Sequence, residues 1–107
     1  MRNAVSVIRT YDELIAALVQ RRHELGLPGR AVDYIANLAE GHCSKLEGPS
    51  RAKRLGPISA PALLATYGAR YAVLDDALVL AFDDDRLPAR TRRYMHSRKV
   101  SRHKQAA

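Results

Sequence analysis

The sequence holds one cysteine, no tryptophan, five tyrosines and one phenylalanine, and beyond position 85 it holds no acidic residue. Each shortage excludes something. A lone Cys43 closes no internal disulfide, and His23, His96 and His103 have no metal-ligand spacing, so neither a disulfide scaffold nor a structural zinc is expected. A reducing cytoplasm suits such a chain. The apolar stretch at Ala4, Val5, Val7 and Ile8 is too short for the hydrophobic region of a signal peptide and far too short to cross a bilayer, so no membrane partner is expected. Catalytic combinations are missing as well. No Ser-His-Asp, Cys-His or paired-carboxylate set falls on an element that would preorganise it, so the reading is of a non-enzyme with no cofactor and no metal. Asp75-Asp76 and Asp83-Asp84-Asp85 lack the glycine and regular spacing of a calcium loop and read as solvated turns.

What the chain does have is 47% hydrophobic residues over 107 positions, enough for one domain with a core of Leu, Val, Ile and Ala. Its net charge is +7, unevenly placed. Residues 1–85 carry all 11 acids against ten Lys and Arg, and residues 86–107 carry the other eight basic residues. A basic arm on a near-neutral body, with a second cluster at Arg51, Lys53 and Arg54, suits a polyanion partner such as nucleic acid.

Periodicity divides the chain. Residues 4–8 are short, apolar and partly β-branched, as in an edge strand. Thr10 with Glu13 forms a capping box ahead of a helix whose stripe is Leu14, Ile15, Leu18, Val19 and Leu25. Arg21, Arg22 and His23 fall where cations complement the helix dipole, and Gly26 is the stop. Pro28 suits the first turn of a second helix carrying Val32, Ile35 and Ala36, which Asn37 closes in a left-handed turn with Leu38 as plug. A third short helix over about 40–47 turns Cys43 and Leu46 inward. Ser59 caps a further helix with Pro61 in its first turn and Ala60, Leu63, Leu64 and Tyr67 on one stripe. Residues 71–74 and 77–82 read as two strands. The pattern predicts a mainly α domain of four or five helices with a short strand or hairpin after the last helix and a basic C-terminal tail. The expected divisions are 1–10 as an N-terminal strand or arm, 11–74 as the helical domain, 75–85 as an acidic turn and second strand, and 86–107 as a flexible tail with too few apolar residues to bury.

Two short helices joined by a tight turn are the helix-turn-helix plan. It needs a small residue at the crossing, a tolerant turn residue, an apolar plug, and inward apolar positions three apart on the second helix. Ala36, Asn37, Leu38, and Cys43 with Leu46 fill these roles in order. The run from Leu27 through Val32, Ala36, Asn37 and Leu38 to Cys43, Ser44, Leu46 and Glu47 resembles the lambda-repressor-like, Cro-type (XRE) helix-turn-helix family. The likeness continues through Arg54-Leu55-Gly56-Pro57 and the Leu63-Leu64 helix. There are departures: Gly29 stands where the family usually has Gln, Pro28 where Ser or Thr is usual, and Cys43 where Ile or Val is common.

The resemblance implies a sequence-specific, double-stranded-DNA-binding transcriptional regulator, repressor or activator, on the nucleoid in the cytoplasm. Its recognition helix, 41–47, enters the major groove. By position, Glu40, Gly41, His42, Ser44 and Lys45 would read bases, with Lys45 suited to guanine O6 and N7 or a phosphate. Gly29 takes the place of the family's second-helix contact. Arg30, Arg51, Lys53 and Arg54 would bind phosphates, and Arg90, Arg92 and Arg93 would extend the contact as an arm. A strand after such a domain is similar to antitoxin-like repressors that pair strands across a two-fold, which implies a homodimer through 71–74 or 78–82. Two alternatives stand beside this reading: an antitoxin-type repressor that also grips a protein toxin, and a nonspecific nucleoid or RNA-binding protein.

Overall fold

A computed structural model describes residues 5–50 and 54–95. The elements run β1 (Val5–Ile8), α1 (Tyr11–Leu25), α2 (Gly29–Ala36), α3 (His42–Glu47), α4 (Ser59–Thr66), β2 (Ala69–Leu74), β3 (Ala77–Phe82) and a 3₁₀ turn (Asp84–Arg86). A last helical stretch, α5, covers 89–95. Local signals place the first helices well. Thr10 and Glu13 form the reciprocal capping box on α1, and Gly26 closes it at φ 69°. Asn37 closes α2 at φ 59°, ψ 45°. Ser59 opens α4 rather than capping it, and its Oγ accepts the Gly56 N–H at 2.9 Å.

The mainly α expectation is overturned: the fold is α+β. The three strands form one antiparallel sheet in the order β1-β3-β2. Val5 to Ile8 pair with Ala81 to Leu78, and Ala69 to Leu74 pair with Phe82 to Ala77. The initial strand is therefore no loose arm. Four residues cannot hold a strand alone, and β1 finds its partner about 70 positions away, where no local pattern points. Asp75, at φ 42°, supplies the one left-handed residue of the β2–β3 turn, in place of the glycine such turns prefer.

Alternation assigns the two sheet faces. Ile8, Ala69 and Leu80 are buried against the helices, with Leu78 and Phe82 packed beside them. Val5, Val7 and Leu74 lie on the other face and are exposed. The helical side of the core holds Ile15, Leu18, Leu25, Leu27, Val32, Ile35, Cys43, Leu46, Leu63, Leu64 and Tyr67.

Arg21 departs from its expected role. It is 1% exposed, whereas its neighbours Arg22 and His23 are not fully buried. Its Nε donates to the Tyr67 carbonyl at 2.9 Å and its Nη2 to Asp84 Oδ1 at 3.0 Å, and its guanidinium lies 5.2 Å from the Phe82 ring centre. One side chain thus joins α1 to the end of α4, to β3 and to the 3₁₀ turn. Gly68 makes that junction fit. It sits at φ 71°, and an added Cβ would lie 2.7 Å from the Asp83 carbonyl oxygen.

The expected flexible tail is corrected for its first part. Leu87 and Thr91 are buried, and the Thr91 hydroxyl donates to the Thr66 carbonyl at 3.1 Å. Leu87, Thr91, Tyr94 and Met95 make a helical stripe that a threonine disguises. Residues 96–107 lie outside the described residues.

Candidate nucleic-acid interface

The α2–turn–α3 unit is built from the inside. Every α2 residue from Ala31 to Ala36 except Tyr34 is buried, and this includes Asp33. The Asp33 carboxylate accepts the Gly41 N–H at 3.0 Å and the Cys43 N–H at 2.8 Å. It caps α3 from the neighbouring helix. The cap residue itself, Gly41, is at φ 83° and has no side chain to offer. Sequence reasoning missed Asp33. The available signal was an acid standing on an apolar stripe shortly before a helix start that has no capping side chain.

The other end of α3 is held to α1. Arg22 grips Glu47 with two bonds, Nε to Oε2 at 2.9 Å and Nη2 to Oε1 at 2.7 Å, and its Nη1 donates to the Leu27 carbonyl at 3.0 Å. The Cys43 thiol donates to Glu47 Oε2 at 3.2 Å. Burial alone would raise the Glu47 carboxyl, but the bonds from Arg22 and Cys43, with the Arg22 charge, hold it below its usual value. Hydrogen bonding to Glu47 raises Arg22 further. Burial, and then the Glu47 carboxylate, push the Cys43 thiol up to about 12.

Its burial makes Cys43 a core residue, and the raised thiol agrees, since the thiolate is the reactive form. A thiol-specific reagent at pH 8 should leave Cys43 unmodified in the native protein and label it fully in urea. Native labelling at the denatured rate would contradict its 1% exposure.

With its inner side fixed at both ends, α3 turns Ser44 and Lys45 to solvent, and Glu40 is exposed just before it. Two other expected base readers are placed differently. His42 is half-buried, and its Nε2 is buried with no hydrogen-bond partner among the described residues. Gly41 is half-buried and spent on the turn. Gly29 does not stand clear either, because an added Cβ would touch Cys43 Cβ at 3.6 Å. The Tyr67 hydroxyl is also buried without a partner among the described residues.

The expected phosphate ligands divide in the same way. Arg30 is exposed on α2. Arg54 is exposed and its guanidinium lies 3.8 Å from the Tyr11 ring centre, while the Tyr11 hydroxyl accepts the Leu55 N–H at 3.1 Å. Arg51 and Lys53 lie outside the described residues. Arg90 lies 4.9 Å from the Tyr34 ring centre and its Nη2 donates to the Tyr34 carbonyl at 3.3 Å. Arg93 is exposed beside it. Arg92 instead ties α5 to the turn before it, because its Nε and Nη2 donate to the Leu87 and Asp84 carbonyls, each at 2.9 Å. The arm expected from Arg90, Arg92 and Arg93 is thus the outer side of α5, docked against α2 and the 3₁₀ turn.

No helix of the described residues is long and apolar enough to cross a membrane, and they hold no cluster of three potential metal ligands. Comparison with protein-family models, with characterised proteins and with solved structures returns no match.

Proposed function

We propose that the protein is a sequence-specific duplex-DNA-binding regulator that inserts α3 into the major groove. The observation that carries this reading is the two-sidedness of α3: charged groups on α1 and α2 hold its inner side at both ends, while Ser44 and Lys45 stand free on the outer side. A short helix held in this way presents donors to base edges without having to order them first. The likeness of 27–47 to the Cro-type family supports the same reading, and so does the excess of basic residues after position 85. Selection from a random duplex pool should return one motif, bound at least about a thousandfold tighter than random sequence. Lys45→Ala should change the preferred base at one position as well as weaken binding. Deleting 96–107 should weaken all sequences alike and flatten the salt dependence. A pool that returns no motif would sink the proposal.

A homodimer completes this reading. Of the two strands expected to pair across a two-fold, β3 is already bonded on both edges, which leaves β2. Tyr71 and Val73 on one face of β2 and Leu74 on the other are exposed, at 52%, 75% and 56%. A strand at a sheet edge that is apolar on both faces is suited to a further strand, and a second copy of β2 would add antiparallel and place two α3 helices for a palindromic site. Sedimentation should show a dimer at micromolar concentration that Val73→Lys converts to monomer; a wild-type monomer would exclude it.

A further inference from the structure

A second surface lies away from α3. The C-terminal half of α2 and the outer side of α5 enclose a cleft of about 320 Å³ lined by Tyr34, Ile35, Arg90, Arg93 and Tyr94. Its lining contains two guanidiniums and two phenol rings and no carboxylate. Tyr34 is 71% exposed, although it stands on a helix whose neighbouring positions are buried. The Arg90 guanidinium over Tyr34 is fixed by its bond to the Tyr34 carbonyl, which leaves the rest of its N–H fork unused. Arg93 has no hydrogen-bond or ion-pair partner among the described residues.

We infer that this cleft binds a segment of single-stranded nucleic acid, with one unpaired base stacked on the Tyr34–Arg90 pair and the adjoining phosphodiester held by Arg93. Three features favour this occupant. A guanidinium over a phenol ring, here 4.9 Å from its centre, makes a cationic aromatic platform to which another π-face can add, and every base has one. A base inside a duplex is stacked already and cannot take that place. The cleft is at the small end of the range for ligand sites, suited to one nucleotide and too small for a double helix. The residues that line the cleft carry two positive charges and no negative one, which suits a phosphodiester backbone.

The site is separate from α3, so it stands or falls apart from the duplex reading. The test is fluorescence anisotropy of a labelled oligothymidylate of about 12 nucleotides with the full chain. Tyr34→Ala and Arg93→Ala should each weaken binding at least about fivefold. Tyr34→Phe should keep most of it, and Lys45→Ala should leave it unchanged. Native tyrosine emission, unobscured in a chain without tryptophan, should be quenched on binding in the wild type and less so in Tyr34→Ala. Both truncated side chains are exposed, so the variants should melt as the wild type does; if Tyr34→Ala does not, Arg93→Ala carries the test alone. No binding by the wild type would overturn the inference, as would unchanged binding by Arg93→Ala. So would a Tyr34→Phe loss equal to that of alanine. Polyglutamate competing as well as the oligonucleotide would reduce the cleft to a generic cationic patch and overturn it too.

Discussion

Asp33→Ala should lower the unfolding free energy by about 3 kcal/mol, or roughly 15 °C in Tm for a domain of this size. The carboxylate is 4% exposed and is the acceptor for the N–H groups of Gly41 and Cys43 at the start of α3. A bond to a charged acceptor contributes about 1.5–3 kcal/mol, and the substitution removes two while stranding their donors. Some of that loss is returned because a buried carboxylate is itself costly to desolvate. Asp33→Asn should lose about half as much, since an amide offers one acceptor and turns a donor toward the second N–H. On the proposed function, affinity for duplex DNA should fall further than stability alone predicts, because α3 has six residues and frays without its cap. A urea titration with the two variants checks this. If Asp33→Ala shifts Tm by only a degree or two, the cap is not what holds α3.

Arg21→Ala should be more damaging, at about 3–5 kcal/mol. A domain of this kind has about 5–15 kcal/mol in total, so the variant should lose a large part of its margin and melt well below the wild type. The substitution empties the space of a side chain that is 1% exposed and leaves the Tyr67 carbonyl without its Nε donor. It also removes one ion pair of Asp84, whose partial exposure limits what that pair contributes. Arg21→Lys should rescue little. A single ammonium cannot reach Tyr67 O and Asp84 Oδ1 in two directions while lying flat near Phe82. Hydrogen exchange locates the effect. Protection over 84–95 should fall before protection in α1, since Arg21 is the bond between them. Uniform loss across the chain, or a stability change under about 1 kcal/mol, would contradict this.

The portions of the fold that are legible in the sequence are those fixed within one or two turns. Thr10 and Glu13 lie three residues apart, Gly26 and Asn37 take left-handed dihedrals that few residues accept, and Leu38 follows its turn directly. The illegible portions are those fixed across the chain. Arg21 and Arg22 are neighbours of the same type at the end of one helix, yet one is sealed under Tyr67 and Phe82 and the other spans to Glu47. A turn of about 100° between consecutive residues separates their fates, and only the elements packed on each side reveal which is which. Asp33 reads as an ordinary polar residue because its partners come eight and ten positions later. The tail reads as structureless because Leu87 and Thr91 are sparse anchors, met by the Gly68 turn and by the end of α4. Of the expected readers, Ser44 and Lys45 stand free as their spacing implies, while His42 turns its Nε2 inward.

The pairing of β1 with β3 also governs the order in which this chain matures. A ribosome adding about 5–20 residues per second releases Val5 and Val7 several seconds before their partners Ala81 and Val79 exist. Throughout that interval α1, α2 and α3 have their mutual contacts available, whereas the first strand has none of its ladder partners. The sheet therefore closes only once β3 has emerged, and until then Val5 and Val7 lie on an apolar ribbon with no strand beside it.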